Sequence, residues 1–160
     1  MKNLILIRHA KSTWEFPVQD FDRDLTQKGI ENSQKIAQHT SQLIQPSSII
    51  WSSAAKRALE TAKIVVGNWK FPIEKIEIKR ELYTFDSIKL EQIVKSCPNA
   101  IDNLILFGHN NAITDFVNKF GDIFIDNVPT SGFVSITFDT DDWSTIKKGK
   151  IEKIIFPRDI

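Results

Sequence analysis

The sequence predicts a three-layer α/β/α fold with a mostly parallel central sheet and helices on both faces. Two near-identical apolar runs, Leu4-Ile5-Leu6-Ile7 and Leu104-Ile105-Leu106-Phe107, have the length and β-rich composition of buried strands. Between and after them, short strand-like runs alternate with segments whose apolar residues recur at helical spacing. At 160 residues and 41% hydrophobic content, the chain is long enough for one substantial core, so one domain over 1–160 is expected.

The elements follow in order. A strand over 3–7 leads into a polar, aromatic loop that runs through residue 25. Thr26 is the N-cap of a helix striped by Ile30, Ile36, Ala37, Leu43 and Ile44 and ended by Gln45-Pro46. Ser48-Ile49-Ile50-Trp51 is a short strand. Ser52 or Ser53 caps the next helix, whose buried face is Ala54, Ala58, Leu59, Ala62, Val65 and Val66 and which stops near Gly67. Residues 76–79 alternate like a strand. Residues 88–94 are helical until Cys97-Pro98. The strand 104–107 is followed by a helix carrying Ala112, Phe116, Val117 and Phe120 up to Gly121. Residues 133–138 and 151–156 form two last strands, expected to be antiparallel at one edge.

The formal net charge of +1 gives no global pull toward nucleic acid or membrane, so any attraction for anions is local. The single Cys97 permits no intramolecular disulfide and fits a reducing compartment. The run after Met1-Lys2-Asn3 is too short for a signal peptide, and no stretch approaches the ~20 apolar residues of a membrane span. The expectation is a cytoplasmic monomer.

Two strands deliver the chemistry. His9 follows the first and His109 the second, at the carboxyl ends where open α/β sheets bind ligands. A neutral imidazole attacks phosphorus, and the guanidinium of Arg8 beside it pairs with phosphate oxygens. Arg57 lies in the first turn of a helix whose N-terminus attracts anions, with Thr61 four residues on to buttress it. Gly108 before His109 suggests a tight turn or close backbone approach; Asn110 and Asn111 start the helix beyond. Read singly, each residue is equally well a strand-end histidine or a solvated arginine.

Arg8-His9-Ala10, the run Ser52-Ser53-Ala54-Ala55-Lys56-Arg57-Ala58-Leu59-Glu60-Thr61-Ala62, and Gly108-His109-Asn110 together resemble the histidine phosphatase superfamily, with its phosphoglycerate-mutase-like fold. The chain lacks the mutases' large helical insertion and resembles the small SixA-type phosphohistidine phosphatase branch. Arg8 through Trp14, Asp20 through Thr26, Glu81-Leu82-Tyr83 and Asp126 through Gly132 fit that branch. The resemblance implies His9 as the phosphate-accepting nucleophile and Arg8, Arg57 and His109 as the clamp on the phosphoryl oxygens. It implies Arg23 and Ser12 as further substrate-binding residues, no metal and no cofactor. The substrate expected is a phosphorylated protein or a small phosphorylated molecule. Glu81 is the favoured general acid, with Asp20 and Asp22 as competitors. Ala10, Glu15 and Asn111-Ala112 depart from patterns common among relatives and bear on fine substrate geometry.

Rival chemistries fit less well. Zinc needs three or four ligands, and His39, the remaining histidine, sits off its helix's apolar stripe. A cysteine phosphatase wants an arginine six residues after the cysteine, where Asn103 stands. The Asp20-x-Asp22 pair follows no apolar strand. A phosphatase of small phosphomonoesters and a non-catalytic phosphate-binding module stay open. Trp14, Phe16, Phe21 and Trp143 are candidates for an apolar rim, with core packing the commoner fate.

Overall fold

A computed structural model describes residues 1–15 and 17–160; Phe16, one of the rim candidates, lies outside the described residues. Six strands form one sheet: β1 (Lys2–Arg8), β2 (Ile49–Ser52), β3 (Ile76–Ile78), β4 (Asn103–Gly108), β5 (Phe133–Phe138) and β6 (Lys150–Ile155). Their spatial order is β3-β2-β4-β1-β5-β6. The first four are mutually parallel, and β5 runs antiparallel to both β1 and β6, as the apolar runs predict. The helices are α1 (Gln27–Thr40), α2 (Lys56–Asn68), α3 (Ser87–Lys95) and α4 (Ala112–Phe120).

Strand alternation sorts the core into two layers. Leu4, Leu6, Leu104 and Leu106 face α3 and α4, packing with Leu90, Val94, Phe116 and Val117. Ile7, Ile50, Ile105 and Phe107 face the other way, onto Ile36 and Ala37 of α1 and Ala62 and Val65 of α2. The chain leaving β1 therefore goes to one face and the chain leaving its neighbour β4 goes to the other. That divergence opens a crevice at the carboxyl ends of β1 and β4, the switch point where open sheets take ligands.

Local signals explain most boundaries. Thr26 caps α1 by accepting from the Gly29 N–H, and Asp86 caps α3 by accepting from Ile88. Gly29 is required: a Cβ there would collide with the Lys11 carbonyl, which also accepts from the Thr26 N–H. The helix α1 stops at Thr40, so Leu43 and Ile44 lie beyond it rather than on its stripe. Its buried face is completed by small and hydroxylated residues, Gly29, Ser33 and Thr40, which hydropathy alone does not flag. At the opposite end of β1 from His9, Lys2 is only 1% exposed; its ammonium reaches the carbonyls of Asn99 (2.6 Å) and Ile101 (3.0 Å) and the carboxylate of Asp102 (2.9 Å). No described helix is long and apolar enough to cross a membrane.

Candidate active site

Register puts the functional residues level with one another. Arg8 pairs with Gly108, and Ser52 with Phe107, so His9, Ser53 and His109 leave three adjacent strands side by side. The His9 N–H donates to the Gly108 carbonyl and the Ser53 N–H to the Phe107 carbonyl, which extends the ladder past the strand ends. The rings of His9 and His109 lie 5.2 Å apart.

His9 has a defined tautomer. Its Nδ1 lies 2.7 Å from the Ala10 carbonyl, which can only accept, so Nδ1 carries the proton and Nε2 the lone pair. Arg57 Nε donates to that Nε2 at 3.4 Å. Burial, then the charges of Arg57, Arg8 and Arg23, outweigh the raising effect of the Ala10 bond and push His9 down to about 4. The ring is thus a neutral base at pH 7. Thr61 holds the backbone beyond it: its Oγ1 accepts from the Ala10 N–H and donates to the Arg57 carbonyl. The expected buttress acts on the chain after His9 as well as on Arg57.

Arg57, second residue of α2, is 2% exposed. Besides His9 it donates to the Asp20 carbonyl (2.7 Å) and to Asp20 Oδ2 (3.0 Å). Arg8 is half-buried; its Nη1 donates to the Val128 carbonyl, and its Nε is buried without a partner. His109 is buried, with Nε2 2.8 Å from Ser53 Oγ and Nδ1 unpartnered. Burial, then His9, Arg57 and Arg8 lower it to about 3 against the raising effect of Asp20. Arg8 Nε and His109 Nδ1 are buried polar atoms for which the described residues supply no hydrogen-bond partner, a condition rare in native proteins.

Several expectations need correction. Neither Ser52 nor Ser53 caps α2; the N-cap position is Ala55, without a side-chain bond, and Ser53 is spent on His109 and on the Ala55 N–H. Gly108 has no close approach to serve: a Cβ there would sit 3.7 Å from Ile113, an ordinary contact. By contrast, Asn110 and Asn111 do start α4 as expected: Asn111 holds the N-cap position, and Asn110 Oδ1 accepts from the Thr114 N–H of the first turn. Trp143 is fully buried beside Lys2, at the opposite end of the sheet from any rim. Glu81 is exposed on a 3-10 turn (Arg80–Leu82) and among the described residues has no hydrogen-bond or ion-pair partner, so the structure does not join it to the cluster. Asp22 is exposed too.

Asp20 is the carboxylate that the structure does bring in. Its Oδ1 accepts from Arg23 (3.1 Å) and its Oδ2 from Arg57 and from the Tyr83 hydroxyl (2.5 Å). Burial raises its pKa, but the bonds from Tyr83, Arg23 and Arg57 win and hold it at about 2. It is a fixed anion at neutral pH, not a proton donor. Arg23 is buried, stacked on Trp14 at 3.4 Å, and donates to Ser12 Oγ. Arg23 therefore joins the site through Asp20, and Ser12 through Arg23. Tyr83 and Ser53 lie in the motifs Glu81-Leu82-Tyr83 and Ser52-Ser53 but carried no expected site role, Ser53 being expected only as a helix cap.

The depressed histidines carry a stability consequence. Below pH 6.5 the unfolded chain protonates His9 while the folded chain does not until about pH 4. The folded state therefore loses stability as pH falls through that window, by on the order of 3 kcal/mol from His9. The urea midpoint of the wild type should drop between pH 7 and 4.5, and His9→Gln should flatten that drop. Parallel curves for the two proteins would contradict the assignment of a buried neutral His9.

The histidine phosphatase superfamily (branch 1) model matches residues 4–128. A protein histidine phosphatase SixA complexed with tungstate superimposes with a TM-score of 0.81 at 19% identity, covering 98% of each chain. A SixA-type protein from Agrobacterium tumefaciens gives 0.78 at 22% identity over 96% of this chain and 97% of that one. A mycobacterial glucosyl-3-phosphoglycerate phosphatase gives 0.70 at 12% identity over 96% and 98%. In sequence, an uncharacterized chloroplastic protein of Arabidopsis thaliana is 41% identical over 63 residues, which is 39% of this chain and 29% of that relative's length. The matched span takes in β1 and its Arg8-His9 end, the Arg57 turn of α2 and the Gly108-His109 end of β4, and the chain belongs to the histidine phosphatase superfamily.

Proposed function

We propose that this protein is a metal-independent phosphatase that passes the phosphoryl group through Nε2 of His9, and that its substrate is phosphohistidine borne on a protein. The observation that carries this reading is the tautomer of His9, a neutral ring whose proton is tied to the Ala10 carbonyl and whose lone pair faces the Arg57 guanidinium. Tungstate in the similar SixA structure, an oxyanion of phosphate-like shape, supports it.

In the first step Nε2 bonds to phosphorus as the substrate's P–N bond breaks. Arg57, Arg8 and the Nδ1 side of His109 hold the equatorial oxygens, where the transition-state charge lies. Arg23 acts through Asp20, which it helps keep in place against Arg57, and Ser12 acts through Arg23. In the second step water attacks phosphorus, the P–Nε2 bond breaks, phosphate leaves with the water's oxygen, and one proton passes to solvent. Because Nδ1 keeps its proton on Ala10, the phosphorylated ring is cationic and departs as neutral imidazole, a good leaving group.

The substrate class follows from what the site does not offer. Asp20 is ionised, His109 is neutral in the resting site, and Glu81 is not in the cluster. An alkoxide leaving group needs a proton at the moment of cleavage. A phosphohistidine protonated on its distal nitrogen needs none. A side-by-side assay of a phosphohistidine protein, serine phosphate and sugar phosphates should give the highest kcat/KM for phosphohistidine. A sugar phosphate as best substrate would transfer the site to small phosphomonoesters, and tight binding of phosphate without turnover would make it a binding module. Chelators should leave activity intact, with vanadate and tungstate competing; loss in EDTA restored by a divalent metal would overturn the metal-free mechanism.

A further inference from the structure

Exposed aromatic side chains stand beside the His109 ring and its neighbour Tyr83. Phe85 is 53% exposed and Phe21 39%, whereas Trp14, at 69%, is taken up in stacking on Arg23. Leaving such rings in water forgoes burial that would stabilise the fold; Phe107, Phe116, Phe133, Phe138 and Trp143 are buried, while Phe124 shares this exposure at 78%. The exposed rings are ordered around His109. Phe85 stands edge-on to the His109 ring at 5.6 Å between centroids and 74° between planes. Tyr83 lies 5.3 Å from the same ring and 5.8 Å from Phe85, and Phe21 packs edge-on behind Tyr83 at 5.4 Å. Tyr83 is pinned at both ends: its hydroxyl donates to Asp20 Oδ2, and its ring lies 5.9 Å from the Arg57 guanidinium. The wall is thus fixed to Arg57, which donates to Nε2 of His9, and to Asp20, which accepts from Arg57.

We infer that Tyr83 and Phe85, backed by Phe21, form a subsite for a planar aromatic ring that carries the phosphoryl group. The inference rests on the phosphatase reading and specifies the leaving group that the site favours. Aromatic rings prefer centroid separations of 4.5–7 Å in offset or edge-to-face geometry, the spacing already repeated from His109 through Tyr83 and Phe85. A ring bonded to a phosphorus that sits between His9 and His109 emerges beside that wall. It holds the ring while the P–N or P–O bond breaks, and the departing ring leaves along the exposed faces of Phe85 and Phe21. In proteins two phosphorylated rings meet the description, the imidazole of phosphohistidine and the phenol of phosphotyrosine. A serine or sugar phosphate presents no ring to it.

The test compares ring and ringless substrates with the same scissile bond. Phosphohistidine is paired with phosphoramidate for P–N cleavage, and phosphotyrosine with phosphoserine for P–O cleavage. For each pair the ratio of kcat/KM values is measured in the wild type, Phe85→Ala and Phe85→Leu. Intrinsic reactivity cancels when ratios are compared between proteins. The expected result is a ratio about tenfold lower in Phe85→Ala, only partly recovered by Phe85→Leu, which restores apolar bulk without a ring. A drop in the P–N pair identifies imidazole as the ring recognised, and a drop confined to the P–O pair identifies phenol. Phe85 is exposed enough for both variants to fold, and circular dichroism melts verify it. Ratios unchanged in both pairs, with wild-type turnover intact, would overturn the ring subsite and leave the phosphatase standing. A wild type that turns over none of the four substrates would overturn the phosphatase and the subsite with it.

Discussion

Replacing His9 by alanine is expected to cut turnover on the order of 10³-fold or more while the fold survives. The side chain stands just beyond the last residue of β1, and its only hydrogen bonds among the described residues are one to the Ala10 carbonyl and one long bond from Arg57. Neither anchors the core, and the ladder bonds of the segment are made by its backbone, whose N–H still reaches Gly108. The melting temperature at pH 7 should move by no more than about 5 °C. The chemistry has no substitute: His109 Nε2 is engaged with Ser53, and Asp20 is shared among Arg23, Arg57 and Tyr83. Quench-flow with labelled substrate should trap an acid-labile phosphoenzyme in the wild type and none in His9→Ala. A variant keeping more than about a tenth of wild-type activity would remove His9 from the role of nucleophile.

Arg57→Ala should cost about 10²–10³-fold in kcat/KM with a small aryl phosphate, the scale of losing a preorganised oxyanion donor. Arg23→Ala should cost much less. The difference is positional: Arg57 Nε touches His9 Nε2, whereas Arg23 meets the cluster through Asp20 and Trp14. Arg57→Lys should recover little, because a point charge does not reproduce a planar fork. The pH profile gives a second readout. Burial is the main cause of the low His9 pKa and the Arg57 charge the leading electrostatic one. Removing that charge lets the His9 pKa rise, so the acid limb of the kcat/KM profile should shift to higher pH in Arg57→Ala. Equal losses in the two arginine variants would place both in the phosphate clamp, and an unmoved acid limb would remove the Arg57 charge as a cause of the low His9 pKa.

The fold was legible because its signals are redundant. β1 and β4 are written as matching apolar runs, and Thr26 caps α1 where its sequence places it. The proximity of Arg8, His9, Arg57 and His109 was legible because strand ends and a helix start fix their positions before any side-chain packing is known. What was not legible depends on the long loop between β1 and α1. Asp20 and Tyr83 are 63 residues apart, and nothing local marks a carboxylate as the partner of a tyrosine hydroxyl. Glu81 looked like the acid because it follows a strand. The 3-10 turn that begins at Arg80 leaves Glu81 in solvent while Leu82 turns inward to the core and Tyr83 lines the site. Ser53 looked like a cap because serine before a helix usually is one; the helix starts three residues later and frees its hydroxyl for His109.

The strand order has a consequence for how the protein is made. β1 is flanked by β4 and β5, so the first strand to leave the ribosome has no neighbour until residues 103–108 have followed it. At about 5–20 residues per second, the Leu-Ile-Leu-Ile segment waits on the order of 10 s for its partner. Such a run, apolar and rich in β-branched residues, is the kind that self-associates when left unpaired. The centre of the sheet closes late, and His9 meets His109 only in that closing event. A nascent chain arrested before β4 would hold half of the phosphoryl site beside a strand awaiting capture, and during that interval a chaperone that recognises extended apolar segments would find a target in β1.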